Sequence, residues 1–295
     1  MDRVDEMRVF ARVVEARSFR RAAQDLGIPA STATDAVKRT ERRLGVGLID
    51  RTTRIVAPTL DGEAWYKRCL SIISAMEDAE ASFSGGAAEG RLHVNAHGTL
   101  ARHFLLPRLP EFLAGNPGID LVLSEGDRLV DLMREGVDCV VRVGTPADSD
   151  LIARKLGEFS EVTLASPKYL ERHGVPESAD DLDGHVVVAF QSSQTGTAIP
   201  LEFEITGKIV ERHLPVALTV TAADTLAEAA RLGIGLIQAP RYRFIEDLKS
   251  GQLVEILKDT PPQPSRVSAL YPRDRQLSPR VRVFLAWLCQ IDFTI

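Results

Sequence analysis

The sequence predicts an α/β protein in two unequal parts: an all-α N-terminal unit carrying a small wing, then a long linker helix, then two α/β blocks. Three observations predict it. Residues 3–44 carry apolar side chains at helical spacing, interrupted twice by turn signals. Residues 59–83 carry one long apolar stripe, followed by the small-residue breaker "SGGAAEG" at 84–90. From Arg91 onward, short apolar runs alternate with helical stretches, the pattern of a parallel sheet with helices on its faces. At 295 residues the chain is long for one core, so two domains are expected.

The first helix is expected over 3–16, with Val4, Met7, Phe10, Ala11, Val13 and Val14 on one face. Ser18 is an N-cap type for a second helix, whose inner face holds Phe19, Ala22, Ala23 and Leu26. The two alanines are small enough to let another helix cross closely. Gly27 fits the left-handed position past a helix end. Pro29 suits the first turn of a third helix, where a missing N–H leaves nothing unpaired. That helix runs to about Leu44, with Ala33, Val37, Thr40 and Leu44 facing inward, and Gly45 ends it. Two short helices around a tight break describe a helix-turn-helix, the motif spanning about 19–38. "VGLIDRTTRIVAPT" (46–59) then reads as a hairpin wing.

The stripe of the linker helix consists of Ala64, Leu70, Ile73, Met76, Ala79 and Phe83; pairing of two subunits through it accounts for its length. Beyond the breaker, "RLHVNAH" (91–97), "IDLVLSE" (119–125) and "VDCVVRVG" (137–144) read as strands, with helices over Leu100–Leu113 and Arg128–Arg134. Extended segments follow around 151–165. A second block offers strands "VVVAF" (186–190), "VALTV" (216–220) and "IGLIQA" (234–239), with a helix over Ala223–Arg231. The strand "VSALYP" (267–272) and the helix "SPRVRVFLAWL" (278–288) are expected to return to the first block. The divisions are therefore 1–59, 60–90 and 91–295. Within the last, lobe I covers about 91–162 and 267–295, and lobe II about 163–266.

Charge narrows the function. The chain has formal charge -5, yet residues 1–68 hold 14 Lys and Arg against 10 Asp and Glu. Between Lys38 and Arg54 there are six basic residues and two acids. A basic patch on an acidic protein is the footprint of a polyanion. The third helix would present Ala30, Ser31, Thr34, Asp35 and Lys38, followed by Arg39 and Arg42. Short hydroxyls fit close to base edges, and longer cations reach the phosphate backbone. The α/β blocks alone would equally suit a small-molecule-binding protein or an enzyme. Assembly by the N-terminal unit, however, leaves the basic, hydroxyl-bearing helix unexplained. No paired carboxylates, metal-ligand spacing or nucleophile elbow is present, so no catalytic, metal or cofactor site is expected. Cys69, Cys139 and Cys289 lie far apart, and Cys139, inside "VDCVVRV", reads as a packed core thiol rather than a redox sensor. No apolar run approaches the ~20 residues of a membrane span, and the acidic, mixed N-terminus lacks a signal-peptide core. A cytoplasmic protein is expected.

The order of elements resembles the LysR-type transcriptional regulators along essentially the whole chain. In the N-terminal part the resemblance rests on Phe10, Val13, "SF" (18–19), "AA" (22–23), Leu26, Glu41, "RLG" (43–45), Leu48, "RTTR" (51–54), Thr59 and Gly62. Further on it rests on "GRLHV", "LLPRLPEFLAGNPGIDLVLSEG", "LVDLMREGVDCVVRVG", "SPKYLERHGVPESADDL", "AEAARLGIGLIQAP", "LKSGQLVEIL" and "SPRVRVFLAWL". The resemblance implies a winged helix-turn-helix, a coiled-coil linker and a C-terminal two-lobed, periplasmic-binding-protein-like α/β domain. It also implies promoter DNA as partner, an inducer in the cleft between lobes, a dimer of dimers, and RNA polymerase as a further partner for an activator. The sequence departs from the family at Pro29-Ala30-Ser31-Thr32, which opens the third helix, and at Thr34, Asp35, Thr40 and Ile49. Thr40 can return its hydroxyl to a carbonyl one turn back. Asp35 repels phosphate but can accept from cytosine N4, so an unusual operator or weaker intrinsic binding is expected.

The DNA contacts expected on this reading are Ser18, Arg20, Ala30, Ser31, Thr34, Asp35, Lys38, Arg39, Arg51, Thr52 and Arg54, with Arg51 and Arg54 on wing phosphates. Glu41, among arginines, is expected to position a basic side chain. Ligands in doubly wound sheets sit beyond the carboxyl ends of the strands. The effector contacts expected there are His97, Thr99, Leu100, Glu125, Gly144, Gln191, Ser192, Asp224 and Thr225, in loops that extend to Asp127 and Thr145. The helix start at "AHGTL" favours an anionic group, so the effector is expected to be a small anionic or aromatic metabolite, with Thr99 its leading contact. Arg142, in an apolar strand, is expected to pair with an acid inside the lobe.

Overall fold

The computed structural model describes residues 1–52, 55–84, 88–126, 131–144, 151–193, 195–272 and 278–293. Side chains at 51–55, 78–79, 81–84 and 133–134 also lie outside this description.

Three helices open the chain: α1 (Arg3–Ala16), α2 (Phe19–Asp25) and α3 (Ala30–Leu44). Asp2 and Asp5 cap α1 reciprocally, each side chain accepting the other's backbone N–H. Ser18 caps α2 by accepting from Arg21 N at 3.3 Å. Gly27 and Gly45 both adopt positive φ, 65° and 73°, as the turn and the end of α3 require. Pro29 stands at the N-cap, one residue before the expected first turn. Phe10, Val13, Ala22, Ala23, Ala33, Ala36 and Val37 form the shared core. Leu26 and Leu44, expected inside, are exposed instead, because both fall where the backbone is leaving its helix. Ala36, which the sequence reading passed over, lies inside. Thr40 is buried and donates its hydroxyl to Ala36 O at 3.2 Å.

The wing is the antiparallel pair β1 (Ile49–Thr52) and β2 (Ile55–Pro58). Glu41 holds its base: Oε1 accepts from the backbone N–H of Leu48 at 2.9 Å and of Ile49 at 3.2 Å. This bracing of the wing is a role beyond the expected one of positioning a basic side chain. The linker helix α4 (Leu60–Ser84) follows. Trp65, Tyr66, Cys69 and Ile73 pack onto the N-terminal core, so part of its apolar surface is used within the chain. Ala64, Met76, Leu60 and Ile72 remain exposed; Ala79 and Phe83 lie outside the described side chains. Of the expected hinge, residues 85–87 lie outside the described set.

Then come β3 (Gly90–Ala96), α5 (Gly98–Leu100), α6 (Leu109–Gly115), β4 (Ile119–Glu125), α7 (Leu132–Glu135), β5 (Cys139–Val143) and β6 (Leu151–Phe159). The helix expected over 100–113 is broken. A π-helical turn at Ala101–Leu105 follows α5, and the segment after it, which contains Pro107, separates it from α6. Residues 127–130, the start of the helix expected at 128, lie outside the described set. After β6 the chain passes through Ser160 into β7 (Glu161–Ala165), α8 (Pro167–His173), β8 (Val187–Phe190), the hairpin β9 (Leu201–Ile205) and β10 (Lys208–Arg212), β11 (Val216–Val220), α9 (Ala223–Arg231) and β12 (Ile237–Pro240). A 3-10 turn (Arg241–Phe244), α10 (Ile245–Ser250) and β13 (Val254–Ile256) lead to β14 (Ser265–Pro272) and α11 (Pro279–Leu288).

One sheet has the order β4-β3-β5-β14-β6; its first three strands are parallel, and β14 runs antiparallel to both β5 and β6. Its core includes Leu92, Val94, Phe104, Phe112, Phe159 and the α11 residues Phe284, Leu285 and Leu288, so the last strand and helix do return to this sheet. Cys139 lies in that core and Cys69 in the N-terminal one, both fully buried. The other lobe is built on β12-β7-β13, the parallel pair β8 and β11, and the β9–β10 hairpin. Two crossovers join the lobes, one through Ser160 and one leading into Ser265.

Candidate DNA and effector sites

Along α3, Ala30, Ser31, Asp35, Lys38 and Arg42 are exposed on the face away from the core. Thr34 is half-buried, and its hydroxyl donates back to Ala30 O at 3.0 Å. Arg39 is held otherwise than expected. The buried Glu6 on α1 accepts from Arg39 Nε at 2.7 Å and from Arg43 Nη1 at 2.9 Å. Burial alone would raise the Glu6 pKa, but the hydrogen bonds and positive charge of the two arginines outweigh it, and the pKa falls. Two of the six basic residues are therefore tied to the fold, and Lys38 and Arg42 carry the open positive charge of α3. Arg20 is exposed near the start of α2, and Ser18 is spent on its cap. Arg51 and Thr52 lie on β1, with side chains outside the described set, as is Arg54 altogether.

The wing is fixed to α4 by a short relay. Thr59 donates its hydroxyl to Gly47 O at 2.8 Å and accepts from Gly62 N at 2.9 Å. A Cβ at Gly62 would lie 2.0 Å from Leu48 O, so only glycine lets the linker helix approach this closely.

The second candidate site lies where the two lobes meet. Thr99 is buried; its Oγ1 lies 2.9 Å from His97 Nδ1 and 2.9 Å from the Tyr242 hydroxyl. Tyr242 comes from the turn after β12, yet its ring sits among Phe104, Phe159 and His103 of the other lobe. Burial drives the Tyr242 pKa up to about 12, so its hydroxyl stays protonated and can donate. Next to this peg, Arg102 donates to Glu125 at 3.3 Å and to Asp224 at 2.7 Å. Asp224, in the first turn of α9, also accepts from Arg243 Nη2 at 2.9 Å. Arg243 is further held by Ala223 O at 2.7 Å.

Four of the nine expected effector residues, His97, Thr99, Glu125 and Asp224, thus join this junction. Leu100 is a correction: it is fully buried in the apolar core of the lobe, because it faces the sheet from α5. Gly144 has φ 101° and donates its N–H to Arg266 O at 2.8 Å. Gln191 and Ser192 bond within their own turn, to Gly196 O at 2.6 Å and Thr197 O at 2.8 Å. Thr225 is exposed on α9; Asp127 and Thr145 lie outside the described set. Arg142 donates to the neutral Asn95, and to Val141 O at 3.2 Å. The sequence reading missed Arg102, Tyr242 and Arg243. Among the described residues, no group of His, Cys, Asp and Glu is arranged to hold a metal ion, and no helix is long and apolar enough to cross a membrane.

Both parts of the chain match known proteins. Residues 4–63 match the family model of the bacterial regulatory helix-turn-helix protein, lysR family, and residues 85–290 match that of the LysR substrate binding domain. The chain is 37% identical over 295 residues to the uncharacterized HTH-type transcriptional regulator YhjC of Escherichia coli, covering 99% of this chain and 98% of the other. It is similar to the solved structure of CrgA, a LysR-type transcriptional regulator from Neisseria meningitidis, at 30% identity and TM-score 0.59, covering 97% of each chain. It is also similar to AphB, the Vibrio cholerae virulence activator, at 26% identity and TM-score 0.61, covering 98% of this chain and 99% of the other.

Proposed function

The chain belongs to the LysR family of transcriptional regulators, and from that premise we propose that it controls promoter access through an effector-dependent change in the angle between its two lobes. The observation that carries this reading is the pairing of two sites in one chain. An exposed helix face with Ser31, Asp35, Lys38 and Arg42 stands beside a braced wing, and an inter-lobe junction brings Thr99, Tyr242, Arg102 and Asp224 together. The first suits a major groove. The second suits a small anionic or aromatic metabolite, since cations and hydroxyl donors converge there. Its binding shifts the population of lobe arrangements, and with it the spacing of the DNA-reading units and the bend of the promoter.

Assembly as a dimer of dimers fits the linker helix, whose Leu60, Ile72 and Met76 are exposed in the single chain. The reading includes a cytoplasmic location, no catalytic role, and contact with RNA polymerase where the protein activates. Chromatin pull-down of the tagged protein tests it. Sharp enrichment at a partly palindromic site, with its own upstream region the first to inspect, is the expected result. A well-folded protein enriched nowhere would refute the reading and bring forward a plain small-molecule-binding role.

A further inference from the structure

The inter-lobe junction holds a carboxylate already. Asp224 places one oxygen on each of two guanidiniums: Oδ1 on Arg243 at 2.9 Å and Oδ2 on Arg102 at 2.7 Å. The burial of the partners is inverted relative to an ordinary surface pair. The Arg243 side chain is 8% exposed, whereas that of Asp224 is 68% exposed. Desolvation lowers the Arg243 pKa, and Asp224 acts against this, so the buried cation depends on an anion in this position. The anion, however, faces water, so another carboxylate can reach the position it holds. Gly98 leaves room for the Arg102–Glu125 pair. A Cβ there would lie 2.9 Å from Glu125 Oε2 and 3.4 Å from Arg102 Nη2.

Resting on the effector-response reading above, we propose that Asp224 is a resident stand-in for the carboxylate of the effector, and that the effector acts by displacing it from Arg102 and Arg243. Any carboxylate presents the same two oxygens as Asp224, and charge-assisted N–H donors from two arginines fit them one each. Arg102 rises from the π turn of one lobe, while Asp224 and Arg243 belong to the other. The Arg102–Asp224 bond therefore latches the lobes together. Displacement exchanges a covalently tethered carboxylate for a free one, and α9 is released from Arg102. Effector specificity then has an anionic head group as its first requirement, and neutral analogues of the same shape leave the latch closed.

Acetate, which carries the Asp224 head group, is the probe. Thermal unfolding of the full-length protein is followed against sodium acetate, with sodium chloride at matched ionic strength and acetamide as controls. In Asp224→Ala, a given rise in melting temperature should be reached at an acetate concentration about tenfold below that of the wild type, because the tethered competitor is gone. Acetamide should stabilise neither, and adding Arg102→Gln, at an exposed position, should abolish the gain. Equal acetate responses in wild type and Asp224→Ala would overturn the proposal, as would a gain that survives Arg102→Gln. No DNA enters this titration, so its failure is separate from a failure of operator binding.

Discussion

A single buried carboxylate decides which cations of the basic helix are free. Glu6 takes Arg39 and Arg43, so the reading face relies on Lys38 and Arg42. Glu6→Gln should lower stability by about 1–3 kcal/mol in chemical unfolding, since two guanidiniums lose a charged acceptor. The sign with pH follows: the Glu6 pKa is lowered in the fold, so its contribution is present above the ordinary carboxylate pKa and is lost as pH falls through the lowered value. Asp35 is the opposite case, an exposed acid on the reading face. Asp35→Ala should tighten non-specific DNA binding and relax preference at one base position by about 1–3 kcal/mol, read by competition with operator variants. The exposed face of α3, with Ala30, Ser31, Asp35, Lys38 and Arg42, was legible from residue type and spacing. The inter-lobe site was legible only in part. Thr99, Glu125 and Asp224 stand at strand ends and helix starts, which sequence pattern marks. Arg102, Tyr242 and Arg243 carry no such signal in the sequence, and two of these contacts span long separations: Thr99 and Tyr242 are 143 positions apart, Arg102 and Asp224 122. Only the tertiary path brings them together.

At the scale of elements, the wing and the linker helix act as one piece. Thr59, Gly62 and Leu48 lock them, with no room for a side chain at 62. Gly62→Ala should cost about 1–3 kcal/mol through overpacking and weaken operator binding, while the unfolding of the C-terminal lobes stays in place; calorimetry and anisotropy on the same sample check both parts. Helices with clear caps and a single apolar face were readable, as α1, α2 and α3 illustrate. So were the apolar strands β3, β4, β5, β8 and β11. The hairpin β9–β10 was passed over although it carries a turn signal: Thr206 and Gly207 both have positive φ, 50° and 75°, and Gly207 is the residue that tolerates it. Its strands mix charges into the alternation, "LEFEI" and "KIVER", which masked the period. The break between α5 and α6 was hidden for another reason. The apolar stripe continues through the π turn, so periodicity alone reads one helix where the backbone makes two.

At the scale of the whole molecule, two crossovers join the lobes, and Glu161 sits at the first of them, hydrogen-bonded to Ser265 on the second. Desolvation, reinforced by the charge of Glu202, raises the Glu161 pKa to about 8, against the pull of the Ser265 bond. An acid whose pKa is raised on folding binds its proton more tightly in the folded state. Its contribution therefore favours the fold below about pH 8 and declines as pH rises from the ordinary carboxylate range through that value. Glu161→Gln should flatten the fall in melting temperature across that window, and an unchanged slope would place the titration elsewhere. The lobe that holds Arg102 also touches the linker helix: Arg280 of α11 donates to Ser74 of α4 at 2.6 Å. A helix that neutralises phosphates through Lys38 and Arg42 releases counterions on binding, so the salt dependence of operator binding is the decisive measurement. Fluorescence anisotropy of an operator duplex, over roughly 50 to 200 mM salt, should give an affinity that falls steeply and log-linearly, with Lys38→Ala reducing the slope by about one phosphate contact. Affinity independent of salt, or a slope untouched by Lys38→Ala, would contradict the account.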